Sequence, residues 1–293
     1  MAIAPTDLAL AAAPARRNRV ATFLRRHPTV AIGGGIVAVM VAMAILAPYL
    51  GTVDPQALAP VQRLKWPSAT RWFGTDMLGR DVYSRTIYGA RVSLAVGISV
   101  AVLSIGFGLT IGLVSGFSRW VDSIVMRVMD GLMSIPAILI AIALMALNRA
   151  SLQNVVFAIT VAEVPRVTRL VRSVVLTLRE RTFVEAAVAS GTAAHTILWR
   201  HILPNTLAPV LVQGTFIAAS AMITEAILSF IGAGTPPTVP SWGNIMAEGR
   251  SLFQVAYYIV LFPGIMLSIT VLGINLLGDG LRDALDPRLA RRL

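Results

Sequence analysis

Long apolar runs alternate with short polar intervals along the chain. About 20 apolar residues span a bilayer, and the first run, residues 29–53, meets that length. It is too long for the apolar core of a cleaved leader and is followed by no convincing cleavage site. It therefore reads as a first transmembrane helix running from inside to outside, preceded by a basic, Ala-Pro-rich tail. The second run covers residues 92–117. Within it Gly108, Gly112 and Gly116 recur every four residues, on one helix face where small residues let helices approach closely in lipid. Residues 118–130, with Arg119 and Arg127, read as a short loop. A third span follows at about residues 132–147, with Pro136 a candidate kink. The fourth run, residues 152–164, is short and carries Glu163, with Pro165 just beyond. Its helix is expected to continue past the membrane. Val167, Leu170, Val171, Val174, Val175 and Leu178 fall at helical spacing there, opposite Arg166, Arg169, Arg172 and Arg179. A basic amphipathic stripe beside a span fits the headgroup interface better than a nucleic acid. The fifth run is residues 207–230, ended by Gly232, Gly234, Pro236 and Pro237. The last is residues 255–278, with Gly278 and Gly280 as expected breakers. The pattern predicts an all-α membrane protein of about six transmembrane helices.

Two polar intervals carry more detail than a connecting loop needs. Residues 71–97 read RWFGTDMLGRDVYSRTIYGARVSLAVG. They predict a turn at residues 74–76, then an amphipathic interfacial helix leading into the second span, with Asp81 and Arg85 able to pair one turn apart. Residues 182–204, TFVEAAVASGTAAHTILWRHILP, read as two short helices joined at a glycine. Thr182 and Glu185 fit a capping box. Ala186, Ala187 and Ala189 are strong helix formers. Gly191 suits the left-handed residue that ends a helix, and Pro204 is expected to hold Leu203 extended. From spacing alone Glu185 is as well explained as a cap as by any other role. Glu225 lies in the fifth span, and an ionisable group at membrane depth is a functional candidate. It sits within about two turns of the outer end of its helix, so hydrogen bonding near the interface weighs at least as much as contact with a substrate.

Composition supports the membrane reading. The chain is 56% hydrophobic and 13% charged, with mean hydropathy +0.75. It has no cysteine, so neither a disulfide framework nor a thiolate metal site. The net charge of +11 would point a soluble protein toward nucleic acid. Here the basic residues flank apolar runs, which assigns them to cytoplasmic loops and lipid headgroups, with no nucleic-acid partner. With an inside start and six spans, 17 of the 25 basic residues fall inside, the sign the positive-inside rule requires. Lys65 is the single lysine against 24 arginines, the mark of a GC-rich bacterial genome. No catalytic set is present. Lys65 precedes Trp66 and has no glycines before it, so there is no phosphate-binding loop. His27, His195 and His201 do not form a zinc motif, and no nucleophile elbow is found.

The two polar intervals carry a resemblance. Glu185, Ala186, Ala187, Gly191, Leu203 and Pro204 are similar in type and spacing to the EAA loop of ABC-importer permeases. His201 departs from the general pattern toward the peptide-importer branch, whose loops read His-Ile-Leu-Pro-Asn as residues 201–205 do. Gly74, Thr75, Asp76, Gly79, Arg80, Asp81, Val82, Ser84, Arg85, Gly89, Ala90, Arg91, Ser93 and Leu94 resemble the signature of C-type permeases of dipeptide and oligopeptide importers. Residues 228–246 and 275–289 resemble that family's extracytoplasmic segment and ending.

The resemblance implies a type I ABC importer transmembrane domain. In it residues 1–29 are a cytoplasmic tail, 30–50 a first transmembrane helix and 51–91 an extracytoplasmic loop with an interfacial helix. Residues 92–280 are the five-helix permease core with the coupling loop at 182–204, and 281–293 a cytoplasmic tail. It implies a heterodimer with a homologous B-type permease, one or two ATPase subunits that bind the ATP and magnesium, and an extracytoplasmic peptide-binding protein in a bacterial inner membrane. The chain itself would hold no cofactor and no metal. Glu185, Ala186, Ala187, Gly191, His201, Leu203 and Pro204 would couple it to the ATPase. The substrate path is unassigned, with Glu225 its one candidate. A same-family permease for nickel, glutathione or another small solute shares these motifs. An ATP-independent secondary transporter commonly shows repeated halves, and no convincing repeat is found.

Overall fold

The computed structural model describes residues 19–147 and 149–285. Arg16 and Arg17 of the basic tail, Asn148 and residues 286–293 of the expected ending lie outside the described residues. Regular structure among the described residues is helical, apart from one isolated bridge between Thr75 and Asp81. The end of the expected tail is ordered: α1 spans Arg19–Arg26, and α2, Pro28–Ile45, begins at once with a proline whose fixed φ suits a first turn. α2 stops short of the apolar run because Pro48 falls in the single turn Ala47–Tyr49.

α3 runs unbroken through Val82–Phe117. No separate interfacial helix precedes it, because residues 82–90 are already largely buried among other elements. Asp81 caps α3, its carboxylate accepting from the Ser84 amide (2.8 Å) and hydroxyl (2.6 Å). Engaged there, it does not form the expected pair with Arg85.

The stretch expected to be a loop is α4, Arg119–Met133, followed by α5, Ala137–Ala146. The two meet at 86°. Pro136 disfavours a helical Ile135, so the expected kink is a full break. α6, Leu152–Arg179, passes through Pro165 and continues as one helix well beyond the fourth apolar run. After it come α7, Thr182–Ala189, and α8, Ala194–Ile197. A π segment, Leu198–Ile202, leads directly into α9, Leu203–Phe230. The short α10, Trp242–Gly249, precedes α11, Tyr258–Leu285. Gly278 and Gly280 do not break α11. They admit neighbours instead: a Cβ at Gly278 would stand 2.2 Å from Thr215 Oγ1, and one at Gly280 would stand 2.6 Å from the Val30 amide nitrogen.

α2, α3, the joined run Ala194–Phe230 and α11 are each long and apolar enough to cross a membrane, and the bent pair α4–α5 makes a fifth. α6 adds a sixth, short apolar stretch. The glycine face of α3 does what its spacing predicts. Val167, Val171 and Val175 of α6 lie where Cβ atoms at Gly108, Gly112 and Gly116 would be, at 2.4, 2.7 and 2.7 Å. The main core therefore sits between α3, α6 and α9, and it reaches Val184 of α7 and Ile197.

Candidate functional site

The segment 182–204 folds as a compact hairpin at one end of the bundle. α7 is not closed by a capping box. Arg181 is the N-cap, Thr182 is the first helical residue, and no side chain bonds to the cap. The extended backbone of Arg181 (ψ 141°) starts the helix one residue earlier than the Thr-Glu pattern implied, which places Glu185 in solvent on the outer face. At the other end Gly191 has φ 73°. Its amide donates to Val188 O (3.0 Å) and that of Thr192 to Ala187 O (3.1 Å). This is the double closure of a Schellman motif, whose left-handed residue favours glycine.

The return strand of the hairpin differs from expectation. Leu203 is helical (φ −52°, ψ −49°) rather than extended. The wider π turn, closed by the Leu203 amide on Leu198 O, carries the chain into Pro204 at the start of α9 without a break. A π turn is a known way to relieve a ring that would collide with the preceding turn of an α-helix.

The hairpin has two faces. Val184, Ile197 and Ile202 are buried, and with the half-buried Ala187, Leu198 and Leu203 they join the core formed by α3 and α6. Glu185, Ala186, Gly191 and Pro204 are exposed, and half-buried His201 lies beside Phe183 with ring centroids 6.4 Å apart. The fold thus gathers the seven expected residues onto one hairpin but divides them between its two faces. Phe183, Val188 and Trp199 were not singled out from the sequence. They are exposed at 43%, 60% and 64%, on the same hairpin as Glu185. Their helical spacing was visible; their exposure was not.

The arginines of α6 are used differently from a headgroup stripe. The Arg172 guanidinium grips both carboxylate oxygens of Asp122 on α4, with Nη2 at 2.6 Å from Oδ2. Arg169 meets Asp130 at 2.6 Å. Arg179 donates to the carbonyls of Gly116 (3.0 Å) and Phe117 (3.3 Å) at the end of α3 and stacks over the Phe117 ring. Arg166 lies 3.1 Å from Glu163 on its own helix.

Glu225 is far from the hairpin and fully buried. Its Oε1 accepts from Ser229 and Ser241, both at 2.8 Å, with Thr235 at 3.5 Å. Ser241 is also the N-cap of α10, so the carboxylate ties that short helix to α9. The far end of α10 is tied by charge. Glu248 meets Arg80 (2.5 Å) and Arg85 (2.5 and 3.0 Å), and both arginines also bind Asp76 at 2.6 Å. Between these ties Trp242 Nε1 donates to Thr86 O at 2.9 Å. α10 is therefore fixed to α3, α9 and the loop before α3. Among the described residues no cluster of three or more His, Asp or Glu side chains could hold a metal ion.

The chain is similar to known membrane transport proteins. Residues 86–291 match the family model described as binding-protein-dependent transport system inner membrane component. Residues 16–67 match the N-terminal TM domain of oligopeptide transport permease C. A protein of Sinorhizobium fredii named probable peptide ABC transporter permease is 51% identical over 94% of each chain. A dipeptide transport system permease of Alkalihalophilus pseudofirmus is 43% identical, over 91% of this chain and 88% of its own length. A glutathione transport system permease of Pectobacterium atrosepticum is 42% identical, over 91% and 89%.

Proposed function

The chain belongs to the binding-protein-dependent transport system inner membrane components, and from that membership we propose that it is the C-type permease of an ATP-driven importer of dipeptides or oligopeptides. The observation that carries the reading is the hairpin 182–204, with one face in the core and the other turned outward around Glu185. A membrane chain without a phosphate-binding lysine needs a partner to supply the energy of ATP, and this hairpin is the surface on which the partner would act. Family membership brings an ATPase and a substrate-binding protein. The finer assembly proposed here has a homologous B-type permease as second half, one or two ATPase chains, and both termini in the cytoplasm of a bacterial inner membrane.

In this mechanism the ATPase engages Glu185 together with the exposed Phe183, Val188 and Trp199 of the same hairpin. Exposed aromatic and aliphatic side chains with charge beside them suit a docking patch, whose centre is apolar and whose rim is polar. Val184, Ile197 and Ile202 pass its displacement to α6 and α9. Closure of the nucleotide-bound ATPases would open the permease pair outward to receive substrate from the binding protein, and hydrolysis would return it inward. Magnesium and ATP belong to the partner. Glu225, closed in by hydroxyls, is assigned to holding α10 rather than to the path.

The test is uptake of a labelled dipeptide in cells with and without this chain, with nickel and glutathione in parallel. Loss of peptide uptake alone supports the reading. Loss of glutathione or nickel uptake alone keeps the permease and replaces the substrate. Glu185→Lys is expected to abolish uptake in an assembled complex, and normal transport by that variant would remove the coupling role.

A further inference from the structure

α4 is weakly embedded for a helix of 15 residues. Met129 is its one buried residue, while Trp120, Ile124 and Val128 are exposed. It is joined to α3 through Ser118 alone and turns through 86° into α5. Within this chain, charge pairs to α6 add to the little apolar packing that α4 has.

The charges are placed where they matter for transmission. Arg169, Arg172 and Arg179 stand on the last turns of α6, and Arg179 is three residues before α7 begins. Arg172 and Asp122 are part-buried, at 31% and 21% exposed. The guanidinium holds both carboxylate oxygens, a two-point contact that resists rotation as well as separation. Arg169 and Asp130 are half-exposed or more, so that pair adds little strength alone. It does fix the angle of α4, because Asp130 lies about 12 Å along the helix from Asp122. Arg179 closes the set by holding the last carbonyls of α3.

Resting on the importer reading above, we propose that Arg172 and Asp122 form a clasp, flanked by Arg169–Asp130 and Arg179, that makes α4 and the inner end of α3 follow the coupling hairpin as one body. Arg172 is a positioning residue for coupling. It touches neither substrate nor nucleotide, and it sets how far a displacement of α7 spreads through the permease.

The test uses the assembled importer in proteoliposomes, with ATP-driven uptake of a labelled dipeptide and ATP hydrolysis measured together. Asp122→Asn and Arg172→Gln are each expected to cut uptake at least tenfold, while copurification of the partners and the ATPase rate stay within twofold. The exchange of Asp122→Arg with Arg172→Asp is expected to restore uptake to within threefold of the parent. Because the chain has no cysteine, spin labels can be placed at the exposed Ser123 and Ser173. Their separation should be equal in the nucleotide-free and ATP-bound states of the parent and should broaden in Arg172→Gln. Parent-like uptake by the single variants would overturn the clasp. So would joint loss of uptake and assembly without rescue by the exchange, or a label distance that changes with nucleotide in the parent. A parent complex without ATP-driven uptake would overturn the importer reading itself, and the clasp with it.

Discussion

Gly112→Ala and Gly106→Ala are the same chemical change six residues apart in one helix, and the structure gives them opposite signs. A Cβ at Gly112 would stand 2.7 Å from Val171 Cβ and 2.8 Å from Thr168 O. Carbon pairs settle at about 3.5–4.0 Å, so α3 and α6 would have to part by roughly 1 Å, and one of the opposing atoms is backbone. Overpacking of this kind costs about 1–3 kcal/mol, of which the better helix propensity of alanine offsets up to about 1 kcal/mol. With the full offset the expected net loss is up to about 2 kcal/mol. A Cβ at Gly106 meets nothing within 4 Å. That substitution keeps only the propensity term and should gain up to about 1 kcal/mol. Equilibrium unfolding of the purified chain in mixed micelles, titrated with a denaturing detergent, reads both against the parent. Shifts of the same sign in the two variants would refute the close-approach argument, whatever their size.

Three further outcomes follow from named contacts. Arg85→Leu removes one of the two arginines that Asp76 and Glu248 share and leaves Arg80 in place, so it should cost less than the roughly 3–5 kcal/mol of a wholly unpaired buried charge, read in the same titration. Glu225→Gln keeps an oxygen acceptor for Ser229 and Ser241 and should be mild, whereas Glu225→Leu leaves those hydroxyls unanswered and should cost at least about 2 kcal/mol more; equal effects would show that the hydroxyl cage does not hold α10. Gly191→Ala puts a side chain at φ 73° for about 1–2 kcal/mol without a clash, so the chain should fold and assemble while uptake falls.

Four of the six expected spans, α2, α3, the run Ala194–Phe230 and α11, were legible in the sequence because length and apolarity alone decide them, and the Gly108–Gly112–Gly116 face because a period of four is a property of one helix. α4 was missed for an intelligible reason. Arg119, Asp122, Arg127 and Asp130 made it look like a loop, although Val121, Val125, Val128 and Leu132 follow helical spacing. The hairpin 182–204 was singled out by its letters, yet two local rules failed in it. The N-cap moved to Arg181 and emptied the capping box, and a π turn let Leu203 stay helical before Pro204. The ties of α10 could not be read at all. Arg85 and Glu248 are 163 residues apart, and only the packing of α3 against α10 and the segment before it brings them together.

The π turn has one mechanical result. Because it spares the chain a break at Pro204, residues 194–230 form one helical rod of 37 residues, about 55 Å long against a hydrocarbon layer of about 30 Å. Such a rod is a lever. Pivoting near its middle, a tilt of about 10° sweeps each end through roughly 5 Å at that length. One end carries the hairpin, and the other carries Glu225 and, through Ser241, all of α10.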